Sequence, residues 1–158
     1  MVPHSIWKLN QQPLHRRSVF FNSFFLQKLF DEKNNDILLS NQYNYSQVQS
    51  IADKYFQRHG VLVSEAKNIF CPYNYSQTHW GLGVIQPLDK RVIWYDSNSS
   101  NMSHGRCAKV NRLMDGLVHY MYDEYWKIPK EGDPMTLDEW KREWRTSICT
   151  TCPQQLNG

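Results

Sequence analysis

Thr78-His79-Trp80-Gly81-Leu82-Gly83-Val84-Ile85, Gln86-Pro87-Leu88-Asp89-Lys90 and Arg91-Val92-Ile93-Trp94-Tyr95-Asp96 follow one another as strand, turn and strand. The outer runs are rich in β-branched and aromatic residues, and the middle carries Pro and Asp. Taking Ile85 and Lys90 as an opposed pair makes Gln86–Asp89 a four-residue hairpin turn. That register sets His79 directly opposite Asp96 on one face, with Cβ atoms roughly 5 Å apart. An Asp so placed can hold an imidazole in one tautomer and stabilise it when charged. The same pair also occurs as a plain surface hydrogen bond, and Trp80, Trp94 and Tyr95 serve equally well as sheet packing. Gly81 and Gly83 share the His79 face and leave room there for another backbone.

Outward from this hairpin, Asn68-Ile69-Phe70-Cys71-Pro72 reads as a short strand that ends at its proline. Farther upstream, Ser18 caps a helix predicted over residues 19–31, with Phe20, Phe21, Phe24, Phe25 and Leu29 as its apolar stripe. Residues 34–44 read as a polar loop. A second helix starts at Ser46, buries Val48, Ile51, Ala52, Tyr55 and Phe56, and stops at Gly60. Downstream, residues 97–103 form a polar turn. A long helix is predicted over 105–127, with Val110, Leu113, Met114, Leu117, Val118, Met121, Tyr122 and Tyr125 inward. Pro129, Gly132 and Pro134 break it. Thr136-Leu137-Asp138-Glu139 has the form of a capping box for a short helical turn, and residues 144–151 suit a last strand.

The chain has 158 residues, room for one domain and one core. Residues 1–17 are an irregular lead-in, and the domain proper occupies 18–158. At 41% hydrophobic and 14% aromatic residues, the composition is that of a folded chain. A net charge of +3 with scattered basic residues gives no nucleic-acid stripe. No secretory signal or membrane-spanning run is found. The Asn-x-Ser triplets at Asn44, Asn74, Asn98 and Asn101 then read as polar turns. Cys71, Cys107, Cys149 and Cys152 are too few for a disulfide framework and suit a reducing compartment. Cys149-Thr150-Thr151-Cys152 lacks the second pair a zinc site needs, so structural thiols are expected there, with no metal and no cofactor.

Three stretches together resemble the ubiquitin-like-protein-specific proteases, the SUMO/sentrin-specific cysteine proteases. They are Thr78–Ile85, Ile93-Trp94-Tyr95-Asp96-Ser97 and Pro153-Gln154-Gln155-Leu156-Asn157-Gly158. Val19-Phe20-Phe21-Asn22-Ser23-Phe24-Phe25 and Asn68–Pro72 resemble segments that precede the family's catalytic His. The resemblance implies an α+β, papain-like fold with a mixed sheet and packed helices, truncated at both ends. It implies His79 as general base, Asp96 as its orienting carboxylate, Gln155 as oxyanion donor and Trp80 as a wall of the tunnel for a Gly-Gly tail. A tunnel that narrow admits only glycine. The family's nucleophile is an Asp-Cys-Gly cysteine beyond Gln-x-Asn-Gly, so here it is expected past Gly158. Without the helix it begins, Leu82, Val84 and Tyr95 are expected to lose their cover. The implied partner is SUMO or another ubiquitin-like modifier with its conjugates, bound by a monomer in the nucleus or cytoplasm. The alternative is a non-catalytic pseudoprotease or modifier-binding remnant.

Overall fold

The strands β1 (Ser18–Phe20), β2 (Asn68–Ser76), β3 (His79–Gln86), β4 (Arg91–Asp96) and β5 (Arg145–Ile148) lie in one sheet in chain order. The computed structural model describes residues 17–30, 43–76, 79–96 and 104–149. The middle three strands form an antiparallel meander, and β1 and β5 join its edges in parallel. The helices are α1 (Phe25–Leu29), α2 (Ile51–His59), α3 (His104–Trp126) and α4 (Leu137–Glu143). This is the mixed α+β arrangement the sequence predicted. The expected loop over 34–44 lies largely outside the described residues.

The β3–β4 register differs from the expected one by two residues. Gln86 pairs with Arg91 and Gly81 with Asp96. Gln86 belongs to the strand, and the turn is one 3₁₀ turn over Pro87–Asp89 closed by Lys90 at φ 52°. Pro87 supplies the fixed φ that starts the turn. Because side chains alternate with period two, the two-residue slip leaves every residue on its predicted face.

The predicted helix over 19–31 is mostly not a helix. Ser18–Phe20 pairs with Asn68–Phe70, burying Val19 and leaving Phe20 to stack on Phe70 at 4.9 Å. Phe21 N–H donates to the Phe70 carbonyl at 3.0 Å. The Asn22 side chain then accepts from Phe24 N–H at 3.0 Å and turns the chain, so α1 has only five residues. A short, dense apolar run carries both periods, and tertiary pairing decides between them.

Pro72 does not end β2. Phe70 turns its carbonyl to β1, and Pro72, two residues on, faces the same way beyond the last residue of β1. A missing N–H costs little on such an open edge.

One face of the sheet is covered by α3. Ile69, Cys71, Tyr73, Ile85, Val92 and Trp94 meet Leu113, Met114, Leu117 and Met121 in a single core. The predicted stripe on α3 is right, but Tyr120 and Glu124 are buried as well. Tyr120 packs edge-on against Phe25 of α1 at 4.9 Å. Glu124 accepts from the Tyr45 hydroxyl at 2.7 Å, while Asp123 accepts from Tyr43. The 3₁₀ turn Tyr45–Gln47 replaces the start of the second predicted helix, and α2 ends at Gly60 in the left-handed conformation, as expected. The capping box of α4 is present in both directions, Thr136 to Glu139 and back. Trp140 then donates to the Val118 carbonyl at 3.0 Å, which anchors α4 on α3.

Leu82, Val84 and Tyr95, the side chains expected to lose their cover, are on the face away from α3. Val84 is nevertheless buried, Leu82 is half-buried, and Tyr95 is exposed with Phe20 and Trp80. Among the described residues no helix is long and apolar enough to cross a membrane.

Candidate active site

His79 opens β3 and Asp96 closes β4, so the hairpin brings the two to one end of the sheet. Asp96 is paired across the ladder with Gly81, two residues inward of His79. The imidazole and carboxylate therefore meet on a diagonal, with His79 Nε2 and Asp96 Oδ1 2.8 Å apart. Diagonal neighbours on an antiparallel pair are within reach of a long side chain when nothing fills the position between them. Gly81 supplies that gap. Both groups are buried, His79 at 7% exposure and Asp96 at 1%. A buried carboxylate bonded to one ring nitrogen fixes the tautomer and directs the other nitrogen elsewhere.

The site is walled from three sides. Tyr73 of β2 is the ladder partner of Gly81, and Trp94 of β4 is the partner of Gly83. The two rings meet edge-on at 6.2 Å, and Lys109 of α3 places its ammonium 5.2 Å from the Tyr73 ring. The space expected over Gly83 is not open to another backbone. A Cβ there would lie 3.0 Å from Leu117 Cδ1 and 3.1 Å from the Trp94 ring. The sequence had two glycines on one face; which side chains lean over them is set by α3, which a hairpin pattern does not contain. Tyr73 was missed because β2 was ended at Pro72. The alternation Ile69, Cys71, Tyr73 was the signal that would have found it.

Trp80 follows His79 and points to the other face of the strand, 51% exposed. An exposed indole beside a buried imidazole gives a flat apolar surface at the edge of the site. Gln155 lies outside the described residues, as do Thr78 and Cys152. Cys71 is fully buried opposite Gly83, and burial pushes its thiol well above the ordinary range. It is therefore unsuited to attack a substrate. Cys107 and Cys149 are half-buried, and no disulfide joins the described cysteines. Among the described residues no group of three or more His, Cys, Asp or Glu side chains could hold a metal ion.

Known proteins resemble this chain in sequence and fold. The chain is 28% identical over 142 residues to Ubiquitin-like-specific protease 1 of Saccharomyces cerevisiae, covering 89% of this chain and 18% of that protein. The crystal structure of the C-terminal Ulp1 protease domain in complex with Smt3, the yeast ortholog of SUMO, superposes with a TM-score of 0.58 at 25% identity. That match covers 98% of this chain and 54% of the other. The Chaetomium thermophilum Ulp1-like SUMO protease catalytic domain shares the fold, with a TM-score of 0.51 at 20% identity, covering 98% of this chain and 49% of the other. The chain thus spans about a fifth of the curated relative and about half of the solved domains. Residues 4–158 match the C-terminal catalytic domain of the Ulp1 protease family, and the chain belongs to that family.

Proposed function

We propose that this chain forms part of a cysteine protease that cuts after the C-terminal Gly-Gly of SUMO or a related modifier, releasing it from a lysine or from its precursor. The observation that carries the reading is the buried 2.8 Å contact between His79 Nε2 and Asp96 Oδ1 in a chain of this family. Asp96 holds Nε2–H, so proton exchange falls to Nδ1. Nδ1 takes the proton of a cysteine thiol, and the thiolate attacks the glycine carbonyl carbon. The oxyanion that forms is met by the Gln155 side-chain amide. When the carbonyl re-forms, the C–N bond breaks and the imidazolium gives its proton to the leaving lysine amine. A water then gives a proton to Nδ1 and attacks the thioester, freeing the modifier's carboxylate and the thiol. The attacking cysteine is assigned to the segment after Gly158, as in the family's Asp-Cys-Gly. Trp80 is the tunnel wall.

A second reading, a modifier-binding remnant without hydrolysis, draws on the same exposed Trp80, which can grip a Gly-Gly tail in the absence of a nucleophile. A SUMO vinyl-sulfone probe separates the two. The 158-residue chain should form no adduct at Cys71, Cys107, Cys149 or Cys152. The same chain extended through the gene's next codons should be labelled at the new cysteine, and Asp96→Asn should slow its turnover roughly 10²- to 10⁴-fold. Labelling of any of the four existing cysteines would overturn the nucleophile assignment. No labelling of the extended chain would leave the binding reading.

A further inference from the structure

A cavity of about 380 Å³ opens at the far end of the β3–β4 hairpin from the His79–Asp96 pair. Its location follows from the fold. Pro87, Leu88 and Lys90 of the hairpin turn form one lip, the last turns of α3 form the floor, and α4 with the residue after it forms the other side. Arg91 and Asp96 are five positions apart along β4, so the cavity lies roughly 16 Å from the catalytic pair. It is not an extension of that site.

The walls are aromatic and soft. Tyr125, Trp126, Trp140 and Trp144 pack on one another with centroids 5.0–5.6 Å apart, and Met121 and Met135 fill between them. Thioether side chains adapt to an occupant's shape at little cost. Leu88 stands at the lip 53% exposed, an apolar side chain with no core to serve. Volume and lining match those of sites that take a small organic group.

The polar features are few, and they specify the occupant. Lys90 and Glu143 face each other across the rim, with Nζ and Oε2 2.5 Å apart. They offer one donor and one acceptor side by side. The indole N–H groups of Trp126 and Trp144 are buried inside the wall, out of an occupant's reach, so the rim pair alone sets the polarity. An anionic ligand would satisfy Lys90 but be repelled by Glu143. A cation would do the reverse. A neutral amide carries both a C=O for Lys90 and an N–H for Glu143.

We propose that this cavity is a docking site for a polypeptide segment that inserts one bulky apolar side chain between the tryptophans and sets its flanking amides against Lys90 and Glu143. Such a site would give the domain a hold on a partner chain that is independent of the catalytic pair. It stands whether or not the chain is catalytic.

N-acetyl-L-leucinamide and N-acetyl-L-phenylalaninamide are suitable probes, each a bulky side chain between two amides. The readout is the set of six tryptophan indole signals in a ¹⁵N-correlated NMR spectrum of the full chain. Addition of either probe should shift the signals of Trp126, Trp140 and Trp144 saturably and leave Trp80 and Trp94 in place. The midpoint should be on the order of millimolar, as expected for so few atoms. Leu88→Ser and Met135→Trp, one removing the lip and one filling the cavity, should each raise the midpoint at least about fivefold while the thermal midpoint moves little, since Leu88 is exposed and Met135 is only half-buried at the edge of the core. Unchanged binding by both variants, or shifts that follow N-acetylglycinamide equally well, would overturn the proposal. Preferential saturation by 1-naphthaleneacetate, an apolar ring with a carboxylate and no amide, would overturn it in favour of a small acidic ligand.

Discussion

Gly81 stands across the ladder from Asp96, and the carboxylate reaches past it to His79 Nε2, 2.8 Å away. The pair is therefore built from three residues, the middle one contributing only the absence of a side chain. Gly81→Val should fill the diagonal and part the two groups. The expected outcome is loss of the single Nε2–H tautomer at His79, read from its imidazole ¹⁵N shifts. An unchanged tautomer in the variant would show that the diagonal has room for a branched side chain.

Gly116 on α3 has a different reason to be glycine. A Cβ there would run into the Phe30 ring, whose Cε atoms would lie 2.9 and 3.0 Å from it. Phe30 is buried at the end of α1 and is held by the core. Gly116→Ala should cost about 1–3 kcal/mol of overpacking against the roughly 1 kcal/mol that alanine gains in a helix. Gly105→Ala, in the same helix with nothing within 4 Å, should be neutral or stabilising. Urea unfolding of the two variants side by side measures the difference. Equal stabilities would show that Phe30 moves aside freely.

Thr136 caps α4 through Glu139 N–H at 3.2 Å, and Glu139 reaches back to Thr136 N–H at 3.1 Å. Thr136→Ala should lower stability by about 1 kcal/mol. Thr136→Ser should retain most of it. Chemical denaturation of both is the check, and a serine variant as weak as the alanine one would show that the hydroxyl bond is not what holds the helix start.

Glu124 gives a pH dependence. Burial, the largest cause, holds its carboxyl above the ordinary range, against the lowering effect of the Tyr45 hydrogen bond and of Lys127. A raised folded value means that the native state binds the proton more tightly than the unfolded chain does. Its contribution is then most favourable below the unfolded value near 4.5 and declines as pH rises through the folded one. Glu124→Gln copies the neutral form and keeps an acceptor for Tyr45. It should melt higher than the parent at pH 7–8, with the gap closing as pH is lowered toward 4. A variant that is less stable at pH 7 would mean that the Lys127 and Tyr45 contacts outweigh burial.

The hairpin, the long helix and the α4 cap were legible because each is decided within a short stretch of chain. His79 and Asp96 fell on one face because the period of two survives a slip of two residues, although the turn was placed wrongly. Pro87 could begin either a four-residue loop or a 3₁₀ turn, and only the left-handed Lys90 distinguishes them. Val19 and Phe20 were read as helix, with Ser18 as its cap, because their partner strand is about fifty residues away, and local periodicity carries no trace of that partner. Tyr120 and Glu124 broke the predicted stripe because α3 is packed on more than one side, by the sheet and by the 43–47 segment.

The order of the sheet also bears on how the molecule comes together. Loop closure costs about (3/2)RT ln n, so the meander of β2, β3 and β4 is the cheapest part to form, while each parallel edge must close a loop of about fifty residues. His79 and Asp96, only 17 positions apart, belong to the first group. The His79–Asp96 contact is thus placed where the chain can make it before either border strand docks, and late events in assembly would refine its surroundings rather than create it.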